Sequence, residues 1–456
     1  REGRTLSSGE ARRLHLSSAL GAGVTGTLYV LDEPSIGLHA RDTSRLADLL
    51  EALSAAGNTV VVVEHDAELI ARAAHVVELG PGAGRRGGHV VYAGTPAALA
   101  ELDTPTARTL RPQRGTPTAL PRFGALAGRA LTLRGVCARH LAGFDVDLPL
   151  GALTCITGVS GSGKSTLAHE VLAKNLPRVL AGGPVDPSQL RGIEGHAPLS
   201  ELHVVDTSPL ARSARSIPAT YIGAWDPIRA VIAGSGDARR LGLTATDFSF
   251  NSRGRCEACQ GLGTVTVDMQ FLEDVTIECE ACRGQRFTER VLAARWRERT
   301  VAQLLALTVD EAWEVFAEEK VVRRRLAPLL DVGLGYLQLG QATSTLSGGE
   351  AQRLKLAAHL GDKQKGHPLI VLDEPTTGLH HTDVVQLLAA LGALLERGAT
   401  LVVVEHHLEV VRHAHHVIDL GPEGGARGGQ LLVQGTVDQV RAHATSYTGA
   451  ALRRAP

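Results

Sequence analysis

No apolar run in the 456-residue sequence reaches the roughly 20 residues that a helix needs to cross a bilayer, and the N-terminus carries no signal-peptide pattern. A membrane partner is therefore not expected, and the expected setting is cytoplasmic. Aromatic residues make up only 3% and there is a single methionine, so the core must be built from Val, Leu, Ile and Ala. Neither sign of charge prevails: 47 Lys and Arg stand against 48 Asp and Glu, a net charge of -1, so any nucleic-acid surface has to be a local patch. Cysteine is also too sparse for a secreted disulfide framework. Four of the six form two C-x-x-C pairs, and Cys137 and Cys155 stand alone in apolar surroundings. With 44% hydrophobic residues, the composition is that of a globular chain of two to four domains. The chain opens at Arg1 and its one methionine is Met269, which reads as a truncated or split product.

What is present is a duplication. LSSGE (6–10) matches LSGGE (346–350), YVLDEPSIGLH (29–39) matches IVLDEPTTGLH (370–380), and VVVEH occurs at both 61–65 and 402–406. GPGAGRRGG (80–88) matches GPEGGARGG (421–429); the offset is 340 for the first pair and 341 for the other three. The apolar runs in both copies read as strands of a sheet covered by helices on both faces. Helical patterns at Ser44–Leu53 and Asp383–Leu395 alternate with them, giving an α/β fold. The first copy lacks a front half; the second is complete.

That front half carries Gly158-Val-Ser160-Gly161-Ser-Gly163-Lys164-Ser165-Thr166, which satisfies G-x-x-x-x-G-K-[ST] between a strand-like run and a helical one. The glycines let backbone N–H groups reach phosphate oxygens, Lys164 brings a cation to the β- and γ-phosphates, and Ser165 supplies a hydroxyl for Mg²⁺. Asp373 and Glu374 end a later apolar strand, suited to hold the metal through water and to polarise the attacking water. His406 ends the next strand, and its repetition at His65 favours contact with the γ-phosphate over a solvated surface role. LSGGE at a helix start is a second anion-binding device.

The phosphate loop, LSGGE, LDEP and the terminal histidine together resemble the ABC-type ATPases, in which two modules sandwich ATP head to tail. That resemblance implies two P-loop ATPase modules, the first incomplete, and the length of the second leaves room for an inserted helical and zinc-finger domain. Residues 1–103 are then the C-terminal part of the first module, 104–128 a linker, 129–180 and 341–456 the second module, and 181–340 the insertion. It also implies that Ser7, Ser8 and Gly9 complete the ATP site of Lys164, Ser165, Asp373, Glu374 and His406. Ser347, Gly348 and Gly349 would face Asp32, Glu33 and His65 in a mirror site that has no phosphate loop here. Ser8 replaces a usual glycine and Thr207 a usual glutamine; both departures bear on hydrolysis rather than on binding.

Lys164 and Ser347 lie 183 residues apart, and the interval holds Cys256-x2-Cys259-x19-Cys279-x2-Cys282. Two such pairs at this spacing point to a closed four-thiolate Zn²⁺ site at 253–288 that holds a fold rather than catalyses. Residues 283–299 hold six Arg against two Glu, and 209–255 seven Arg against three Asp. By charge alone these clusters fit phosphate contact and a solvated surface equally.

FSFNSRGRCEACQGLG, MQFLED, CEACRGQRF and TLSGGEAQRLKLA resemble the UvrA family, the damage-sensing ATPase subunit of the excinuclease ABC system, over nearly the whole chain. The resemblance implies ATP-dependent recognition of damaged or drug-modified double-stranded DNA in nucleotide excision repair, with ATP, Mg²⁺ and Zn²⁺ as cofactors, and a place in the SOS response. It implies a homodimer, the next excinuclease subunit as a further partner, and a separately encoded N-terminal half of the first module if the chain is split. The alternatives are an antibiotic self-resistance ATPase and a transporter or ribosome-associated ABC ATPase. Arg239, Arg240, Arg253, Arg255, Arg283 and Arg286 are the candidates for DNA phosphate contact. His413, His415 and His416 read as surface residues rather than metal ligands, and Trp225, Trp296 and Trp313 as core rather than base-stacking residues.

Overall fold

The computed structural model describes residues 25–82, 87–111, 120–206, 208, 210, 215–267, 275–361 and 366–454. These form two compact units: residues 208–361 make one, and the remainder make the other.

In the first copy β1 (Leu28–Asp32) pairs in parallel with β2 (Thr59–Val63), with α1 (Ala40–Ala55) between them in sequence. After α2 (Ala67–Arg72), β3 (Val76–Gly80) pairs antiparallel with β4 (His89–Gly94), and α3 (Pro105–Leu110) follows. The second copy opens with β5 (Ala130–Val136) and β6 (Phe144–Pro149), then β7 (Leu153–Gly158). A π-helical stretch, Thr166–Leu172, runs into α4 (Ala173–Leu180), followed by β8 (Gly192–Glu194) and β9 (Leu199–Val205).

The other unit contains α5 (Trp225–Ala233), the antiparallel hairpin of β10 (Thr264–Val267) and β11 (Val275–Glu278), and the short ribbon of β12 (Arg295–Trp296) and β13 (Arg299–Thr300). Further on come α6 (Lys320–Asp331) and α7 (Gly348–Gly361). Trp225 is buried and stacks on Phe250 at 5.4 Å, and Trp296 stacks on Phe316 at 4.9 Å, so both serve packing.

The chain then returns to the first unit through β14 (His367–Asp373), α8 (His381–Glu396), β15 (Thr400–Val404), α9 (Leu408–Arg412), β16 (His416–Gly421), β17 (Gln430–Gly435) and α10 (Tyr447–Arg454). The sheet order is β17-β16-β7-β15-β14-β9, parallel throughout except for β17. Every residue of β7 and β15 is buried, as expected for strands covered on both faces.

That expectation fails for the first copy. Its β1 and β2 alternate, with Tyr29, Leu31, Val60 and Val62 packed against the α1 residues Leu46, Leu50 and Leu53, while Leu28, Val30, Val61 and Val63 are 61%, 66%, 47% and 50% exposed. The counterparts of those four, Leu369, Val371, Val402 and Val404, are buried against Leu167, Ala168, Val171 and Leu172 of the helix that follows the phosphate loop. Among the described residues no such helix lies on the first copy, nor does a strand join β2 to β3 as β7 joins β15 to β16.

His413, His415 and His416 also differ from the surface reading: all are half-buried. The His415 ring accepts from Leu153 N–H at 3.0 Å on Nδ1 and donates to Leu120 O at 3.0 Å through Nε2, tying β7 to the segment before β5.

Candidate nucleotide site and cysteine cluster

The last residue of β7 is the first glycine of the phosphate loop. Gly158 has φ +133°, and a Cβ there would lie 2.1 Å from Leu420 O, so no side chain fits. The loop brings Lys164 back over its own strand: Nζ donates to Gly158 O and to Val159 O, each at 2.9 Å. Lys164 is only 6% exposed, and burial pushes its pKa down to about 8 against the pull of Glu374 and Asp373. Ser160, Gly161, Gly163 and Lys164 form the turn, with exposed Ser165 and buried Thr166 opening the helix.

Parallel pairing of β14 with β15 sets the carboxylates beside this loop. Glu374 N donates to Val404 O at 2.8 Å, and Glu374 sits at φ +47°, a left-handed conformation that turns its side chain off the strand end. Burial raises the Glu374 pKa, and neighbouring Asp373 adds to it while Lys164 opposes. His406 Nε2 lies 3.6 Å from Glu374 Oε1. Its pKa is pushed down to about 3, first by burial and then by Lys164, so the ring is neutral. Both ring nitrogens are buried without a hydrogen-bond partner. A buried imidazole with no partner beside a lysine and a carboxylate is a set of donors and acceptors waiting for a polar group, and a terminal phosphate fits.

Two residues here escaped the sequence reading. His169, on the helix after the loop, pairs Nε2 with Asp373 Oδ2 at 2.7 Å, which raises its pKa. Glu405 accepts from Thr376 N at 2.9 Å, His406 N at 2.7 Å and His407 N at 2.9 Å, fixing the turn on which His406 stands. Its counterpart Glu64 accepts in the same way from Ser35 N at 2.8 Å, His65 N at 2.8 Å and Asp66 N at 3.1 Å. The repetition of Glu in both VVVEH segments was the available signal for Glu405. For His169 there was none.

The two copies meet at their LDEP-x-x-GLH turns. A Cβ on Gly37 would lie 3.2 Å from Glu374 Oε2, and one on Gly378 would lie 3.4 Å from Glu33 Oε1. Each glutamate thus points at the other copy's glycine, across a cavity of about 590 Å³ lined by Glu33, His65, Glu374 and His406 among others. His65 Nε2 lies 3.4 Å from Glu33 Oε1. Ser7, Ser8, Gly9 and Thr207 lie outside the described residues.

Ser347, Gly348 and Gly349 belong to the other unit and start α7. Ser347 Oγ accepts from Glu350 N at 3.2 Å while Glu350 Oε2 accepts from Ser347 N at 2.8 Å, and Tyr336 OH donates to Glu350 Oε1 at 2.7 Å. This reciprocal cap leaves the helix start well defined.

In the same unit Cys256, Cys259, Cys279 and Cys282 are buried, with all four sulfurs within 4.8 Å of one another. Cys256 and Cys279 Sγ are 4.0 Å apart, Cys259 and Cys282 Sγ 3.6 Å, spacings suited to the edges of a tetrahedron of thiolates around Zn²⁺. Backbone N–H groups of Gly263 and Arg286 donate to Cys259 and Cys282 Sγ at 3.2 and 3.3 Å, the kind of outer contact that orients ligating sulfurs. Of the arginine candidates, Arg239, Arg240, Arg253 and Arg283 are exposed, Arg240 pairing with Asp237 at 2.9 Å. Arg255 is half-buried and held by Gln260. Arg286 is half-buried, donates to Gly340 O at 2.9 Å and stands over the Phe250 ring at 5.6 Å.

No family model matches the sequence. The chain is 48% identical over 452 residues to UvrABC system protein A of Methanothermobacter thermautotrophicus, covering 98% of this chain and 47% of that protein. To UvrABC system protein A of Deinococcus radiodurans it is 45% identical, covering all of this chain and 45% of that one. The crystal structure of UvrA2 from Deinococcus radiodurans superposes with a TM-score of 0.90 at 43% identity, over 99% of this chain and 55% of that one. The chain spans about half the length of the curated relatives it matches. With 45–48% identity over nearly its whole length and a matching solved structure, this chain is a homologue of about half of UvrABC system protein A.

Proposed function

We propose that this chain is the ATP-hydrolysing, DNA-engaging part of a UvrA-type subunit of nucleotide excision repair. The observation that carries the reading is the convergence of Lys164, Glu374 and a His406 whose ring nitrogens make no hydrogen bond, in a chain 48% identical to UvrABC system protein A. Residues 129–180 and 341–456 act as the complete ATPase module, 1–103 as the partial one, 104–128 as the linker and 181–340 as the insertion. Lys164 exchanges its two carbonyl partners for the β- and γ-phosphates of ATP. Glu374, whose raised pKa makes it the stronger base, takes the proton of the water that attacks the γ-phosphorus as the bond to ADP breaks. His406 donates to the γ-phosphate, and Ser7, Ser8 and Gly9 cap it from the other copy.

Ser165 and Asp373 are the groups that would hold Mg²⁺, which supplies neutralisation of phosphate charge. Cys256, Cys259, Cys279 and Cys282 would hold Zn²⁺ as a structural ion. Damaged or drug-modified duplex is the substrate class, met by the inserted region, and a second copy and the next excinuclease subunit are the protein partners. The deciding experiment measures binding of lesion-bearing and plain duplex with and without ATP. A lesion preference that depends on ATP is expected; equal affinity in all four conditions overturns the reading.

A further inference from the structure

We propose that His39, contributed by the first copy, is a positioning residue for the nucleotide site built on the second copy, acting through Thr448 and Asp419 on the root of the phosphate loop. The inference rests on the reading that the Lys164 site hydrolyses ATP.

His39 closes the first copy's GLH turn and is 4% exposed. Its Nδ1 accepts from Arg41 N–H at 3.3 Å, which assigns the ring proton to Nε2. Nε2–H then donates to Thr448 Oγ1 at 3.3 Å, and Thr448 Oγ1–H donates to Asp419 Oδ1 at 2.8 Å. Asp419 is 1% exposed, so its carboxylate depends on such donors; it also accepts from Thr157 Oγ1 at 2.8 Å and Ser446 Oγ at 2.6 Å. Thr157 is the residue before Gly158, whose carbonyl holds Lys164 Nζ. A continuous chain of hydrogen bonds therefore runs from the first copy's turn to the start of the phosphate loop.

The other side of the His39 ring lies edge-on to His406, with centroids 6.0 Å apart and planes at 88°. Because neither His406 nitrogen has a hydrogen-bond partner, packing sets its orientation, and His39 supplies one wall. Arg41 anchors the same turn, bonding Glu423 at 3.1 Å and standing 4.2 Å over the Tyr447 ring. The duplication supplies a contrast. At the positions equivalent to Asp419 and Thr448 the first copy has Glu78 and Ala107, and Glu78 accepts from Thr106 N at 3.0 Å instead. Alanine offers no hydroxyl, so the relay serves one site only.

The test compares His39→Gln, Thr448→Val and Thr448→Ser in the whole chain by steady-state ATP hydrolysis, thermal melting and release of a fluorescent ATP analogue. His39→Gln and Thr448→Val are each expected to lower kcat about tenfold with KM within about twofold, the scale of a small misplacement of catalytic groups. The double variant should fall no further than either single one, and Thr448→Ser should restore the wild-type rate. Wild-type kcat in Thr448→Val, or a fall in kcat matched by a fall in melting temperature that Thr448→Ser shares, overturns the proposal. If the wild-type chain neither binds nor hydrolyses ATP, the ATPase reading itself falls. The positioning role is then decided by the His406 imidazole resonances, which should move in His39→Gln and Thr448→Val but not in Thr448→Ser; unmoved resonances overturn it.

Discussion

The pentapeptide VVVEH occurs twice, with opposite physical outcomes. In both copies its glutamate accepts the backbone N–H groups of the following turn. Yet the His406 side chain is 9% exposed and its pKa is pushed down to about 3, whereas the His65 side chain is 39% exposed and its pKa is raised by the hydrogen bond that its ring donates to Glu33. Identical local sequence fixes the turn; what differs is whether a phosphate loop and its lysine are packed behind it. The same holds for the strands, where Leu369 is buried and its counterpart Leu28 is 61% exposed.

The largest expected effect separates the two copies as enzymes. Glu374→Gln should lower ATP turnover by about 10²–10⁴-fold with ATP binding retained, while Glu33→Gln should change turnover by less than about threefold, as read by steady-state kinetics and nucleotide titration. Comparable losses from both would mean that the mirror site hydrolyses ATP as well.

Next in size is the cysteine cluster. Cys279→Ser should abolish retention of one zinc per chain, measured by elemental analysis, and lower the melting temperature, as a strong chelator should in the unaltered chain. Full zinc content in the variant would remove the four-thiolate assignment.

Packing gives a smaller and sharper contrast. Leu369→Ala should cost about 2–5 kcal/mol in denaturant unfolding, because a methylene-rich side chain leaves a cavity under the phosphate-loop helix. Leu28→Ala should stay within about 0.5 kcal/mol in this chain.

The smallest effect is in pH dependence. A histidine whose folded pKa is lowered refuses a proton that the unfolded chain accepts, so the His406 contribution to stability erodes as pH falls from 6.5 toward 3. His65 has a raised pKa, so its contribution is full below 6.5 and disappears as pH rises through the folded value. Imidazole titration by NMR should find His65 protonating while His406 remains neutral, and replacing His406 by Gln should flatten the acid loss of stability.

Much of the site was legible because it is local. The phosphate loop, the LDEP strand end and the paired C-x-x-C knuckles each lie within a few residues, and their chemistry requires particular types at fixed spacing. His169 and His39 were not legible as site residues. His169 meets Asp373 across 204 positions and His39 meets Thr448 across 409, partnerships that no spacing rule encodes. The surroundings of Arg286 were illegible for a related reason: a cluster of positive charge on the page does not say which guanidinium has Phe250 beneath it.

The sequence alone determined that there are two related copies, that one carries a G-x-x-x-x-G-K-S loop, and that four cysteines stand as two C-x-x-C pairs. These are statements about short-range pattern, set by backbone geometry and ligand valence. Only the tertiary structure decided which histidine is stripped of solvent, which face of which strand is covered, and that each copy's LDEP glutamate points at the other copy's turn. Those depend on burial and on contacts between segments hundreds of residues apart, where the energies of desolvation and packing are settled by what lies alongside rather than by what comes next in the chain.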